Sequence, residues 1–88
     1  MLKFIYYQIS RMEINIRFFG QLVDITGNTL MKIDDVDDTD TLLKQLHALY
    51  PALATMKYAV AVNKHIIQSN TGLQNNFEVA ILPPFSGG

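Results

Sequence analysis

The sequence predicts an α+β domain in which a mixed sheet carries one main helix on one face. This prediction rests on a strand of alternating polarity near the start of the domain, an amphipathic helix in the middle, and short apolar strands after that helix. With 88 residues, 49% of them hydrophobic and 17% charged, the chain can build one small core and has no room for a second.

The first part of the domain predicts a strand, a short helix and a second strand. Over residues 12–19, three apolar side chains alternate with polar ones and share one face: Ile14, Ile16 and Phe18. Gly20 breaks this run, and residues 21–26 are expected to form a short helix that ends at Gly27. A second strand over 28–33 is expected to pair antiparallel with the first.

The middle of the chain predicts the main helix. Thr39 is expected to be its N-cap, because a threonine hydroxyl can accept a free N–H of the first turn. From Asp40 onward apolar residues recur at three- and four-residue spacing until Pro51: Leu42, Leu43, Leu46, Leu49 and Tyr50. The acidic run over 34–40 does not fit a calcium loop, because Asp40 stands where that loop needs glycine.

After the helix, a loop leads to further strands. Residues 58–62 are continuously apolar, which predicts a strand that is covered on both sides and lies centrally in the sheet. A turn at 63–64, a very short strand at 66–67, a polar loop over 70–76 and a last strand over 77–82 follow. This order of elements is that of the β-grasp, or ubiquitin-like, arrangement.

Composition and charge exclude several classes of function. Seven Lys or Arg against eight Asp or Glu give a net charge of −1, so we expect no nucleic acid partner and no attraction to anionic lipid. No apolar run approaches the ~20 residues that span a bilayer, and no membrane association is expected. The absence of cysteine excludes disulfides and thiol nucleophiles and is compatible with a cytoplasmic location. The expected partner is a protein.

The side chains offer little for catalysis. His47 and His65 lie far apart and have no further His or Cys at ligand spacing, so no metal site is expected. No serine stands in a strand-to-helix elbow, and no glycine-rich phosphate loop is present. The interior of the chain is therefore interpreted as a scaffold.

The informative segment is 83–88, Pro-Pro-Phe-Ser-Gly-Gly. Pro83 and Pro84 cannot continue a hydrogen-bonded ladder, so this tail is expected to project from the sheet as an extended arm. Gly87 and Gly88 can thread a channel that is too narrow for a Cβ, which leaves the main-chain carboxylate of Gly88 as the reactive group. The alternative is a frayed end that happens to finish in glycine.

Over 12–88 the chain resembles the ubiquitin-like sulfur carriers of the MoaD/ThiS family, in particular the small subunits of molybdopterin synthase. The matching segments are Ile16-Arg17-Phe18-Phe19-Gly20 with Gly27, the helix behind Thr39, Ala61-Val62-Asn63, Glu78-Val79-Ala80 and Pro83-Pro84-Phe85-Ser86-Gly87-Gly88. The tail is the most specific of these. Residues 75–79 depart from the pattern, since this segment contains no glycine and is less acidic than the one that such carriers usually have before the last strand.

The resemblance implies that the chain is a sulfur carrier, with the catalytic residues on another subunit. In such proteins an adenylating enzyme similar to ubiquitin-activating enzymes uses ATP to convert the terminal carboxylate, here that of Gly88, into an acyl-adenylate. A persulfide-derived sulfur displaces AMP and leaves a thiocarboxylate. The tail then inserts into the large subunit of molybdopterin synthase, in an expected heterotetramer, and sulfur passes to cyclic pyranopterin monophosphate in molybdenum cofactor biosynthesis. No cofactor is expected to bind the chain itself.

The resemblance also implies which residues contact these partners. They are Phe19, Ile66 and Leu82, which match an apolar face, and Pro83, Pro84, Phe85 and Ser86, which match the tail. Alternation along the first strand supports exposure of Phe19, because a core position for Phe18 turns its neighbour to the other face. The alternative is that these apolar residues belong to the core or its rim.

Three other functions remain open at this point. A carrier for thiamine synthesis or another thiolation pathway shares the fold and the terminal glycines but generally lacks the two prolines. A non-reactive interaction module would bind a partner through Phe19, Ile66 and Leu82 alone. A protein modifier would be joined through Gly88 to a lysine.

The chain is expected to divide into an N-terminal extension at 1–11, a β-grasp domain at 12–82 and a reactive tail at 83–88. Residues 1–11 have no counterpart in the carriers that the chain resembles. They are interpreted either as the product of a start codon assigned too far upstream or as a real additional segment.

Overall fold

The computed structural model describes residues 12–84. The expectations for the extension at 1–11 and for Phe85, Ser86, Gly87 and Gly88 therefore fall outside the described residues.

The described chain consists of five strands, two α-helices and one 3-10 helix. In order these are β1 (Glu13–Phe18), α1 (Gln21–Thr26), β2 (Leu30–Asp34), α2 (Thr39–Leu49), the 3-10 helix (Pro51–Thr55), β3 (Ala59–Val62), β4 (His65–Ile67) and β5 (Glu78–Leu82). The predicted strands and helices are confirmed, and each observed end lies within two residues of the predicted one. The 3-10 helix occupies a stretch that the sequence predicted as a loop.

The strands form one mixed sheet with the order β2-β1-β5-β3-β4. β1 is antiparallel to β2, as predicted, and parallel to β5. β3 is antiparallel to both of its neighbours and is an interior strand, although the middle position of the sheet belongs to β5. This topology and the single main helix confirm the predicted β-grasp fold.

The core lies between one face of the sheet and helix α2. Leu42 and Leu46 of α2 are fully buried and belong to the same apolar cluster as the inward-facing strand residues Ile14, Ile16, Phe18, Ile33, Val60, Val62, Val79 and Ile81. Burial of a side chain of this size stabilises the fold by about 1.5–3 kcal/mol. Within residues 12–84, no helix is both long enough and apolar enough to cross a membrane.

The N-cap of α2 is Asp38, so the prediction that Thr39 caps this helix is wrong. Oδ1 of Asp38 accepts a hydrogen bond from the backbone N–H of Thr41 at 2.9 Å. Thr39 is the first helical residue and is only 1% exposed. Its hydroxyl accepts from the N–H of Thr71 at 2.9 Å and donates to Oδ1 of Asn70 at 3.2 Å. The hydroxyl therefore ties the helix to the 70–71 loop, and the preceding carboxylate caps the helix.

Candidate functional site

The sheet face opposite α2 carries a row of residues in register across all the strands. Ile66 pairs with Ala61, Ala61 with Ala80, Ala80 with Arg17, and Arg17 with Leu30. Side chains alternate between the two faces of a strand, so this row points away from the core. We call this surface the outer face.

A groove of about 670 Å³ runs over the outer face. Its floor includes Ala61 and Ala80, the adjacent small residues of the row. Three larger apolar side chains line it: Phe19, Ile66 and Leu82. Because the alanines are short, the larger side chains stand above the floor and leave a shallow apolar recess between them.

The apolar groove residues are the ones that the sequence analysis proposed as partner contacts. Phe19 is 43% exposed whereas Phe18 is 3% exposed, as the alternation along β1 predicts. Ile66 is 49% exposed, and Leu82 is half-buried at the end of β5. The structure thus brings Phe19, Ile66 and Leu82 to one recess, and their role in binding a partner stays a prediction.

The polar side of the groove was not identified from the sequence. Nε of Arg17 donates to Oε2 of Glu78 at 2.7 Å, which joins β1 to β5 across the outer face. Lys64 also lines the groove, from the turn between β3 and β4. Extending the period-2 alternation over β5 would have placed Glu78 on this face, but no local signal places Lys64 beside it.

The base of the tail lies against the turn between β1 and α1. The N–H of Phe19 donates to the carbonyl of Ile81 at 3.1 Å, which continues the parallel pairing to the end of β5. Gly20 has a φ of 59°, and a Cβ at this residue would lie 2.7 Å from Cγ of Pro83. Pro83 is half-buried there and Pro84 is exposed. The tail therefore leaves the sheet next to Phe19, at the Leu82 end of the groove.

The two histidines occupy separate places. Nε2 of His47 lies 2.7 Å from the hydroxyl of Tyr58, and burial raises the pKa of that Tyr58 hydroxyl. Nδ1 of His65 lies 3.2 Å from the carbonyl oxygen of Asn63 in the β3–β4 turn. Among residues 12–84 no three His, Asp or Glu side chains meet at a position that could hold a metal ion. The apolar side chains of Phe19, Ile66 and Leu82 make the groove suited to binding an apolar surface.

The chain is similar to known proteins both in sequence and in structure. The chain is 35% identical over 83 residues to the molybdopterin synthase sulfur carrier subunit of Chlamydomonas reinhardtii, with 88% of this chain and 100% of that protein covered. It superposes with a TM-score of 0.67 and 28% identity on a chain from the protein–protein complex of subunits 1 and 2 of molybdopterin-converting factor from Helicobacter pylori 26695, with 88% of this chain and 100% of that chain covered.

The chain is also similar in structure to a small archaeal modifier protein. The small archaeal modifier protein 1 from Methanosarcina acetivorans superposes with a TM-score of 0.73 at 22% identity, with 89% of this chain and 98% of that chain covered. At this level of identity the match establishes the shared β-grasp fold. The model of the ThiS family matches residues 16–88, which include the whole sheet after the start of β1 and the glycine-ended tail. The chain therefore belongs to the ThiS family.

Proposed function

We propose that this chain is the sulfur carrier subunit of a molybdopterin synthase. The observation that carries the proposal is the position of Pro83, the first residue of the tail, which follows β5 at the edge of the groove lined by Phe19 and Leu82. A partner that covers the groove would thereby also receive the tail. The 35% identity to a sulfur carrier subunit of molybdopterin synthase supports the choice of pathway.

In this proposal the chemistry takes place at the carboxylate of Gly88. A separate adenylating enzyme uses ATP to form the acyl-adenylate and releases pyrophosphate. The terminal sulfur of a persulfide then displaces AMP to form an acyl disulfide, and a thiol cleaves its S–S bond to leave the thiocarboxylate and a disulfide. Activation replaces a poor leaving group by a good one, which is why the sulfur can attack the acyl carbon. The domain itself contributes binding and positioning, and ATP is consumed on the activating enzyme.

The proposed acceptor complex pairs the chain with a large catalytic subunit as a cytoplasmic heterotetramer. There the thiocarboxylate donates its sulfur to cyclic pyranopterin monophosphate during molybdenum cofactor synthesis. The matched Helicobacter pylori chain comes from a complex between subunits 1 and 2 of a molybdopterin-converting factor, which supports a partner of this kind. The exposed apolar residues Phe19 and Ile66 provide the contact surface that such a partner requires.

Intact mass spectrometry tests the proposal. The protein is incubated with ATP, an adenylating enzyme from the same genome and either sulfide or a persulfide together with a thiol reductant. We expect a mass gain equal to replacement of one oxygen by sulfur, and no gain in a variant that lacks Gly88. Thermal unfolding of both proteins is the control, because the deleted residue lies beyond β5 and should leave the core intact. A deletion variant that still transfers sulfur would contradict the carrier function.

The alternatives predict different outcomes in the same experiment. A carrier for another thiolation pathway gains sulfur but does not convert cyclic pyranopterin monophosphate when the large subunit is added. A protein modifier forms isopeptide conjugates that are visible as larger species on a blot. An interaction module gains no mass with any adenylating enzyme.

A further inference from the structure

Lys64 has a backbone conformation that lysine rarely adopts. Among residues 12–84, the non-glycine residues with positive φ are Asp35, Asn63, Lys64 and Asn76, and the φ of Lys64 is 73°. Asp and Asn tolerate this region because their short side chains form local hydrogen bonds. Lysine has no such compensation, and a hairpin turn with two positive φ values favours glycine at its second position. The turn itself therefore gives no reason for a lysine.

The turn that carries Lys64 is held firmly against β5. The N–H of Asn63 donates to the carbonyl of Glu78 at 2.8 Å, and Oδ1 of Asn63 accepts from the N–H of Glu78 at 2.9 Å. The same Glu78 pairs with Arg17 through its side chain. These contacts fix the position of the turn relative to the groove, so the backbone of Lys64 is anchored at the groove's edge.

The charges that line the groove do not cancel. The guanidinium of Arg17 is paired with the carboxylate of Glu78 at 2.7 Å. No carboxylate of the described residues forms an ion pair with Lys64, which is exposed. Counted over residues 12–84, the groove therefore has one positive charge without an ion-pair partner, beside Phe19 and Ile66, although the whole chain has a net charge of −1.

We propose that Lys64 contributes to binding of the large subunit by pairing with a carboxylate that this subunit presents at the edge of the groove. The inference rests on the proposed function, which supplies that partner. Charged groups at the rim of an interface act mainly on partner choice, association rate and salt dependence. A contact of this kind explains why a lysine occupies a position with an unfavourable backbone conformation, since its side chain then serves binding and not the stability of the turn.

Isothermal titration of the purified large subunit from the same genome into the carrier tests this proposal. We expect Lys64→Gln to weaken binding by about threefold or more at low salt, in the range of an exposed ion pair, and to flatten the dependence of Kd on salt. Lys64→Arg should bind like the wild type. Lys44→Gln is the matched control, because it removes the same charge from α2, behind the sheet, and should leave Kd unchanged.

Lys64→Gly separates binding from folding. Glycine relieves the positive φ, so we expect this variant to unfold at the wild-type temperature or above it and yet to bind the large subunit more weakly. Equal Kd values for the wild type, Lys64→Gln and Lys64→Gly would overturn the role of Lys64 while leaving the proposed function in place. A wild-type chain that fails to bind the large subunit would instead overturn the proposed function, and this inference with it.

Discussion

At the scale of single residues, Gly20 links the fold to the tail. Its φ of 59° lies in a region that side chains disfavour, and its Cα faces the ring of Pro83 with no space for a methyl group. The neighbouring hydrogen bond from Phe19 to Ile81 holds both strands at this point. Gly20 therefore sets the direction in which the chain leaves β5.

We expect Gly20→Ala to lower the free energy of unfolding by about 1–3 kcal/mol, the cost of holding a side chain in a sparsely populated backbone region. Urea unfolding measures this change. Gly72→Ala is the control, because the added Cβ would meet no atom within 4 Å and no positive φ is involved. Equal stability of the two variants would argue against a tight contact between Gly20 and Pro83.

At the scale of elements, helix α2 is positioned by side chains at its first turn. Asp38 caps the helix, and Thr39 connects it to the 70–71 loop. Nδ2 of Asn70 also donates to Oδ2 of Asp38 at 3.4 Å. Hydrogen bonds from Thr41, followed by that from Asn70, lower the pKa of the Asp38 carboxyl below its ordinary value of 3.8. The ionised form of Asp38 is thus the one that stabilises the helix.

This lowered pKa predicts a pH-dependent contribution to stability. The ionised carboxylate stabilises the fold above the pKa of the unfolded state, and the contribution disappears as the pH falls through the lower pKa of the folded state. We expect Asp38→Ala to reduce Tm at neutral pH and to differ less from the wild type below about pH 4. Asp38→Asn is the control, because asparagine is also a good N-cap but does not titrate. A Tm difference that is constant with pH would contradict the assignment.

At the scale of the whole molecule, the two faces of the sheet differ in burial. The inner face packs on α2 through residues such as Ile16 and Leu46, which are fully buried. The outer face leaves Phe19 and Ile66 exposed above the small residues of the groove. Substitutions on the outer face should therefore change binding and have little effect on folding.

We expect Phe19→Ala and Ile66→Ala each to raise the Kd for the large subunit by about fivefold or more, as for interface residues that contribute over 1 kcal/mol, with little change in Tm. Titration calorimetry and thermal unfolding measure the two effects. Leu49→Ala is the control, since Leu49 is 57% exposed on α2, away from the groove. Unchanged Kd values would show that Phe19 and Ile66 do not contribute to binding of the large subunit.

The sequence by itself determined the strands, the two α-helices, the β-grasp fold and the faces to which the residues of β1 point. Ile14, Ile16 and Phe18 are buried in the core. Side chains alternate along a strand, so these three share one face, and burial of their apolar surface turns that face inward. The leucines of α2 follow the same rule. The tail was likewise visible in the sequence, because proline and glycine restrict or free the backbone without help from distant residues.

Only the tertiary structure decided which residues meet across the fold. The parallel pairing of β1 with β5 places Arg17 opposite Ala80 and beside Glu78, and Gly20 against Pro83. Thr39 failed as the predicted cap for the same reason, since its hydroxyl bonds to a loop 31–32 residues further along the chain. These contacts depend on long-range pairing, which no local pattern of polarity specifies. The groove, with Lys64 at its edge, exists because that pairing brings four separate strands side by side.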